Sequence, residues 1–459
     1  MTSLEALKEI LRLEQEYKLY DFEIDSIKLW NLFRTPYRYI YVSKMTGVSS
    51  ITRRVTKMQR AKCMLRNSFS SIIRLIQLLP KHGKIENVVI PNSRLQIYNG
   101  QYFDKFTDPV IDESELRNSC CILHMPYAYD YYPDRRHSEM IVPMDFLYLL
   151  CYIILPVYLI PHLLFGNYIK IYRMYKVINS ILPLSGIHII RMNVWFMRIH
   201  IMSIIYSLLF RFLGVKRVFG VARQSFYDAI IGAHRNGITV YEFQHGVTHG
   251  ETEYYSGPQC PVLDPDFFLS FGEMWNGKQF GIDPSKIINI GWAYKNEMIE
   301  KTNEFIPNSV LFISSPEISF KMLDLANNLS ERYPQYRFYI RCHPYEKYTD
   351  KQLRVVDESN NLFLDDNSID SQIALCRYQF IVGENSSVIY EALSLGKKVG
   401  RICYNGIISM RFSDKTDDGF VYLYNEEDFL NLVNCGSSHI ENKAYSDFKP
   451  DLLNSLLKN

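Results

Sequence analysis

Short β-branched and aromatic runs alternate with amphipathic segments along most of the chain. Short runs of such residues, three to seven long here and often closed by glycine, proline or asparagine, are typical of buried parallel strands. The predicted strands cover residues 88–91, 120–124, 215–221, 238–243, 267–271, 309–313, 337–341, 380–382 and 398–402. The predicted helices between the later strands cover 225–236, 320–333, 370–375, 387–395 and, near the end, 426–432. This alternation predicts an α/β protein with parallel, doubly wound sheets.

Two long apolar stretches interrupt this pattern in the first half of the chain. Residues 146–165 contain no charged side chain and approach the roughly 20 residues that span a bilayer, although two prolines are expected to break them. Residues 193–213 carry two arginines and a histidine, and Lys170, Arg173 and Lys176 lie between the stretches. The pattern favours a surface-associated element at the membrane over a true span. The alternative is a pair of helices buried in the first domain.

The length of 459 residues exceeds what one core usually supports, so we expect two domains. The predicted boundaries are 1–275 for the first domain, with the apolar helical element at about 145–213, and 276–425 for the second. Residues 426–459 are expected to form terminal helices that pack back on the first domain.

Charge and cysteine content narrow the class of function. Lys and Arg total 51 against 49 Asp and Glu, which argues against a nucleic-acid-binding protein that needs a broad cationic face. The nine cysteines show no regular spacing, so we expect reduced thiols and no zinc site. Residues 1–18 have the spacing of an amphipathic helix and lack a signal-peptide pattern, which predicts a cytoplasmic protein.

Three polar loops follow predicted strands, where open α/β sheets bind their ligands. The first is Gln244-His245-Gly246, which continues through His249, Glu251 and Glu253. A histidine there can act as a base or donate to an anion, and a glycine permits close approach of the backbone. A hydrogen-bonded structural histidine is the alternative.

The second loop, Arg341-Cys342-His343-Pro344-Tyr345-Glu346, ends a strand, and the proline keeps His343 in an extended conformation. Arg341 is expected to contribute to binding the donor phosphate. The imidazole would project into the crevice and stabilise a leaving phosphate, with a turn-capping histidine as the alternative. Ser314 and Ser315, which follow the strand at 309–313, are expected beside it.

The third loop contains Glu384, Asn385, Ser386 and Ser387 at the predicted start of a helix. Exposed amides and hydroxyls at a helix amino terminus favour a phosphate, although a capping serine explains part of the pattern. Glu391 lies one helical turn beyond Ser387, where its carboxylate could accept hydrogen bonds from a ribose.

The runs ITVYEFQHG, FLSFGEMW, IINIG, SVLFIS, RCHPYE and GENSSVIYEALSLGKKV, in this order between Val215 and Ile402, resemble bacterial capsule and lipopolysaccharide glycosyltransferases of GT-B fold. The His-Pro and Ser-Ser motifs are similar to those of polysialyltransferases and Kdo transferases, and more distantly of CDP-glycerol polymerases. The resemblance implies two Rossmann-like domains facing a cleft, with extra apolar helices in the amino-terminal half. It also implies that His343, Ser386 and Ser387 bind the nucleotide phosphate. Weaker similarity extends to DSIKLWNLFR and YNGQYFDKFTDP.

The acidic pair followed by glycine that supplies the base of polysialyltransferases has no counterpart here. His245, Glu251 and Glu253 are the candidates for the base, and His245 is nearest the strand end. Asp264-Pro265-Asp266 resembles a metal-binding D-x-D motif, but two sheets are predicted rather than the single-domain metal site, so we expect neither metal nor cofactor.

These observations predict a glycosyltransferase that uses a CMP- or UDP-sugar and a glycan or lipid-linked glycan acceptor of a cell-surface polysaccharide. The enzyme is expected in the cytoplasm at the inner face of the cell membrane, with no nucleic-acid partner. Two other interpretations are a nucleotide-sugar 2-epimerase of the same architecture and a non-catalytic scaffold of a polysaccharide assembly complex.

Overall fold

A computed structural model describes most of the chain. The described residues are 3–47, 57–92, 95–98, 100–126, 134–247, 256–276, 282–300, 304–316, 318–343, 346, 348–365, 367, 369–384, 386–404, 419–435 and 443–458.

Helices and strands follow one another in the order expected for an α/β protein. The α-helices are α1 Ser3–Glu16, α2 Leu29–Thr46, α3 Lys57–Gln77, α4 Asp108–Asp112, α5 Asp145–Leu164, α6 Tyr168–Ile181, α7 Ile187–Leu213, α8 Tyr227–His234, α9 Tyr294–Glu300, α10 Ser319–Arg332, α11 Asp350–Asp357, α12 Ser371–Arg377, α13 Ser387–Ser394, α14 Phe429–Asn434 and α15 Pro450–Lys458. The strands are β1 Glu23–Ile24, β2 Ile27–Lys28, β3 Asn87–Ile90, β4 Gln96–Tyr98, β5 Gln101–Phe103, β6 Cys120–His124, β7 Ile141–Pro143, β8 Arg217–Val221, β9 Thr239–Phe243, β10 Phe267–Ser270, β11 Ile287–Asn289, β12 Ile306–Ile313, β13 Arg337–Arg341, β14 Leu362–Leu364, β15 Tyr378–Gly383, β16 Lys398–Ile402 and β17 Val421–Leu423.

Within the described ranges, the first sheet has seven parallel strands in the order β11-β10-β9-β8-β3-β6-β7. Side chains on β8 and β9 alternate between its two faces, as the period of a strand requires. Val218 and Val240 point into the core beneath α7 and α8, while Phe219 and Tyr241 stack in the core on the opposite face. Chain order reverses between β3 and β8, so the sheet is doubly wound, as predicted.

The second sheet has six parallel strands in the order β14-β13-β12-β15-β16-β17, counted over the described part of the chain. Its chain order reverses between β12 and β15. The short outer strands β14 and β17 were absent from the sequence prediction because their residues are few and only partly buried.

The boundary predicted at residues 275/276 falls inside the first domain, because β11 pairs in register with β10 and completes the first sheet. The two helices in the predicted terminal segment, residues 426–459, pack on different domains. Helix α14 packs in the core of the second domain through Phe429 and Leu432. Helix α15 packs on the first sheet, where Leu453 is buried and the Asn454 side chain accepts from the Glu115 amide at 2.8 Å.

The chain between α14 and α15 returns to the first domain along the ends of β10 and β11. The Ser446 amide donates to the Phe271 carbonyl at 2.8 Å, and the Lys449 amide donates to the Ile290 carbonyl at 2.7 Å. Gly291 has a φ of +81°, and a Cβ there would lie 2.0 Å from the Asp447 carbonyl oxygen. Glycine is therefore needed for this close backbone crossing.

The apolar stretch at 146–165 forms one continuous helix, α5, so the expectation that Pro156 and Pro161 break it was wrong. Both prolines are on the exposed side of α5, whereas Tyr148, Cys151 and Leu155 anchor the opposite side in the first core. Packing along that side holds the helix together despite the two lost backbone hydrogen bonds.

Candidate functional site

The three strands that precede the polar loops of the second domain end in register with one another. Ile313 lies opposite both Arg341 and Gly383 in the register of β12, β13 and β15. The residues that follow these three strands therefore emerge side by side, about 5 Å apart from strand to strand. Because β12 and β15 flank the point where chain order reverses, Ser314 and Glu384 lie where doubly wound sheets bind ligands.

Hydrogen bonds join the loop after β12 to the loop after β13. The Ser314 hydroxyl donates to Glu346 Oε1 at 2.8 Å, and the His343 amide donates to Glu346 Oε2 at 3.0 Å. The Ser314 amide also donates to the Arg341 carbonyl at 3.0 Å. Glu346 thus holds Ser314 and His343 together through one carboxylate, and the His343 side chain is partly exposed at the sheet edge.

Helix α13 begins at the loop after β15, as predicted. Ser386 is its N-cap, with the hydroxyl accepting from the Val388 amide at 3.3 Å, and Ser387 is the first helical residue. A Cβ on Gly383 would lie 2.6 Å from Ile389 Cγ2, so glycine lets the strand approach the helix. Both serines are partly exposed, and the first turn of α13 presents amides that suit an anion. Asn385 lies outside the described residues.

Glu391 on α13 contacts the first domain. Its carboxylate is 4% exposed, and its Oε1 lies 3.6 Å from Nζ of Lys105, in the loop between β5 and α4. The other oxygen, Oε2, is buried and has no hydrogen-bond partner among the described residues. A buried carboxylate oxygen without a donor is costly, and a ligand hydroxyl would satisfy it.

The same loop connects Glu391 to His245. Lys105 Nζ lies 5.2 Å from the Phe106 ring centroid, and the Phe106 ring lies 5.7 Å from that of His245. Phe106 also stacks on Phe271 with 6.5 Å between centroids. The candidate base of the first domain and the candidate donor helix of the second are therefore linked by consecutive contacts.

A buried ion pair anchors this loop. Arg135 pairs with Asp108, with a second bond of 2.8 Å to the same carboxylate, and neither side chain is exposed. Asp108 accepts from the Asp104 amide at 2.8 Å, while Asp104 accepts from the amides of Asn92 and Phe106. These bonds determine where Lys105 and Phe106 lie.

Burial, reinforced by the charge of Asp108, raises the pKa of Asp104 to about 6. Because this pKa is above the unfolded value, the folded state binds the proton more tightly, and the stabilisation is lost as pH rises. We expect the free energy of unfolding, relative to that of Asp104→Asn, to fall by up to about 3 kcal/mol between about pH 4 and pH 6. Urea unfolding of both proteins across this range checks it, and a pH-independent difference would contradict it.

Gln244 shapes the first loop instead of facing the crevice. Its side-chain amide donates to the Gly246 carbonyl at 2.7 Å, and its Oε1 accepts from the Phe271 amide at 2.8 Å. Both bonds hold the turn that presents the partly exposed His245. His249, Glu251 and Glu253 lie outside the described residues.

Several predicted site residues have structural contacts. Arg341 pairs with Asp365, whose second oxygen accepts from the Tyr378 hydroxyl at 2.8 Å. Glu384 is buried, and Ser315 is partly exposed with its carbonyl accepting from the Ile318 amide at 3.2 Å.

The D-x-D-like pair also makes contacts within the protein. Asp264 pairs with Arg223 at 2.9 Å and accepts from the Cys260 amide at 2.6 Å. Asp266 accepts from the Val240 amide at 2.8 Å and lies 3.4 Å from His234. Both carboxylates therefore stabilise the first domain.

Lys105, Phe106 and Glu346 belong to the site but were not predicted. Lys105 and Phe106 lie in the run YFDKFTDP, which the sequence indicated only through its weak similarity to glycosyltransferases. An isolated lysine in a loop has no local pattern that predicts a site. Glu346 follows His343 by one turn, and a carboxylate three residues after a strand-terminal histidine is the signal that could have indicated it.

Two Rossmann-like domains with parallel sheets of seven and six strands, in contact through Lys105 and Glu391, match the GT-B architecture, which confirms the predicted fold. No protein-family model matches the sequence, and no curated protein matches it. The structure is similar to UDP-GlcNAc 2-epimerase from Methanocaldococcus jannaschii, with a TM-score of 0.50 and 11% identity over 81% of this chain and 99% of that chain.

Two further structures are similar at lower scores. UDP-GlcNAc 2-epimerase from Neisseria meningitidis has a TM-score of 0.48 and 13% identity over 82% of this chain and 100% of that chain. The wall teichoic acid polymerase TagF has a TM-score of 0.39 and 11% identity over 83% of this chain and 88% of that chain. At these low identities the similarity is evidence for the fold alone. The reaction has to be inferred from the residues of the site.

Proposed function

We propose that this protein is a metal-independent glycosyltransferase that moves a sugar from a CMP- or UDP-activated donor to a glycan acceptor of a cell-surface polysaccharide, such as capsule or O-antigen. One observation carries the proposal. The contacts from His245 through Phe106 and Lys105 to Glu391 bring a candidate base on one sheet next to a candidate nucleotide helix on the other.

The donor would bind the second domain. Its phosphate would lie at the amino terminus of α13, between the Ser386 and Ser387 hydroxyls and the His343 imidazole, where charge develops as the bond to the sugar breaks. Glu391 Oε2, which is buried and lacks a donor, would accept a hydrogen bond from a ribose hydroxyl. Lys105, 3.6 Å from the other oxygen, would add positive charge beside the phosphate.

The acceptor would bind the first domain. Its hydroxyl oxygen would attack the anomeric carbon while the bond from that carbon to the phosphate oxygen breaks, and His245 would take the hydroxyl proton. The positive charges and donors around the nucleotide would stabilise the leaving phosphate without a metal ion. Contact of the two domains through Lys105 and Glu391 would exclude water that could hydrolyse the donor.

A thermal-shift panel tests the donor site. We expect one of CMP, CDP, UDP, GDP and ADP to raise the melting temperature, because a ligand that binds only the folded state stabilises it. His343→Ala and Ser386→Ala/Ser387→Ala are expected to lose this shift, which is measured for each variant against its own melting temperature without nucleotide. The serine variant also loses the N-cap of α13, so its free energy of unfolding without nucleotide should fall by about 1 kcal/mol. His82→Ala and Ser180→Ala serve as matched controls, because both side chains are exposed and far from the loops that follow the strands.

Each outcome discriminates between functions. A shift that all variants retain would refute this donor site, because the nucleotide would then bind elsewhere. No shift with any nucleotide would refute the donor site and favour a scaffold. Conversion of UDP-GlcNAc to its 2-epimer without an acceptor would favour the epimerase interpretation, which the fold also permits. Transfer of sugar to an acceptor with release of the nucleotide would support the proposal.

A further inference from the structure

Helix α5 exposes a row of large apolar side chains on the side away from the protein. Ile153, Val157, Ile160 and Leu164, spaced at intervals of three and four residues, are each between 58% and 70% exposed. This spacing places them along one face of the helix. We call these four residues the α5 stripe. An exposed apolar row of this length is unusual on a soluble monomer and marks an interaction surface.

The sequence around the α5 stripe is rich in basic residues. Residues 26–85 contain 13 Lys and Arg and residues 146–227 contain 9, while neither segment contains an Asp or Glu. Some of these arginines are buried against carboxylates from other segments, such as Arg34 against Glu14 and Arg223 against Glu242. The exposed ones on α3 are Arg60, Lys62 and Arg66. Exposed bases with no acidic neighbour in sequence favour a negatively charged partner.

Helix α6 brings basic side chains next to the α5 stripe. Only Phe165, Gly166 and Asn167 separate it from α5, and Lys170, Arg173 and Lys176 on it are all exposed. Apolar side chains flanked by lysine and arginine match a bilayer surface, with acyl chains below and anionic headgroups above. A protein partner would need a long acidic and apolar surface to satisfy the same pattern.

The neighbouring helix α3 repeats the arrangement. It packs beside α5, where the Ser71 hydroxyl donates to the Pro143 carbonyl and accepts from the Phe146 amide at 3.3 Å. Its outer residues Leu65 and Phe69 are exposed, and the helix contains no acidic residue.

The packing of α5 determines how it could meet a membrane. By length and composition α5 and α7 both qualify as membrane-spanning helices, but half of the most apolar window of α7 is buried within the protein. In α5 the Tyr148 hydroxyl donates to the buried Asp228 at 2.7 Å, and Leu155 and His162 are buried as well. If α5 crossed a bilayer, these side chains would lose their buried contacts in the core.

We infer that the α5 stripe inserts into the surface of an anionic lipid bilayer, with α5 lying in the membrane plane and Lys170, Arg173 and Lys176 contacting phosphate headgroups. The inference does not depend on the proposed function. It places the protein on the membrane through the outer side of the first domain.

Sedimentation of the full chain with phosphatidylcholine vesicles, with and without phosphatidylglycerol, tests the inference. We expect binding to the anionic vesicles and little to the neutral ones. Lys170→Gln/Arg173→Gln/Lys176→Gln should weaken binding about 100-fold, since each basic residue at an anionic surface strengthens it several-fold. Val157→Asp/Ile160→Asp should weaken it at least about tenfold by removing the inserted apolar area.

Leu430→Asp is the matched control, since Leu430 is an exposed apolar residue on α14 of the second domain and should leave vesicle binding unchanged. Melting temperatures near that of the parent show that the variants fold. Equal binding to neutral and anionic vesicles, or none to either, would overturn the inference. A dimer in solution that Val157→Asp/Ile160→Asp dissociates would overturn it in favour of a second copy on the stripe. Retention in vesicles after alkaline carbonate extraction would overturn it in favour of a span.

Discussion

Replacing Asp108 with alanine is expected to lower the free energy of unfolding by about 3–5 kcal/mol, because it leaves the Arg135 guanidinium buried without its partner carboxylate. The variant also removes the acceptor of the Asp104 amide. Urea unfolding at neutral pH measures the loss. The Lys105–Phe106 loop is held by the same bonds, so nucleotide-dependent stabilisation should fall together with stability.

Two further variants test whether the loss of stability in Asp108→Ala comes from burial of the ion pair or from removal of any charged pair. Glu86→Ala removes a partly exposed pair with Lys216 and should cost no more than about 1 kcal/mol. Asp108→Leu/Arg135→Met replaces both charges with apolar side chains and should recover part of the stability that the single variant loses. Equal losses for Asp108→Ala and Glu86→Ala would contradict the buried-pair interpretation.

Replacing His245 with alanine is expected to reduce sugar transfer by a factor on the order of 10² to 10⁴, the usual contribution of a positioned general base. The nucleotide shift should persist, because the donor site that we propose lies on the second domain. Transfer is measured as release of the stabilising nucleotide from its sugar derivative in the presence of glycolipid acceptors. His82→Ala, an exposed histidine, is the control.

Two results would change the assignment of the base. Full transfer activity in His245→Ala would shift the role to Glu251 or Glu253, which were the other candidates from the sequence. Loss of the nucleotide shift together with transfer would mean that His245 acts on the donor instead of the acceptor.

The strands and helices were predictable where burial is strong and local. Helix α13 was expected at 387–395 and lies at Ser387–Ser394, and β13 was expected at 337–341 and lies at Arg337–Arg341. The apolar spacing indicates both elements, and the capping serine also indicates where α13 begins. Strand β14 has two exposed residues out of three, so no period-two burial distinguishes it from a loop.

The site was less predictable because its contacts join residues far apart in the chain. Arg341 was expected to bind phosphate, yet it forms a buried pair with Asp365, which lies 24 residues further along the chain. Lys105 and Glu391 meet across the two domains, and nothing local to either residue predicts that contact. Motif spacing thus located the loops after the strands but not the partners of their side chains.

The return of the chain along β10 and β11 bears on how the protein folds during synthesis. Leu453 belongs to the core on one face of the first sheet, and the segment at 443–449 covers the ends of two of its strands. When β11 has been translated, the first domain therefore still lacks part of the core on this face, although α4 already packs there. Because the second domain is translated in between, we expect the first domain to reach its native packing only after residues 443–458 have been synthesised.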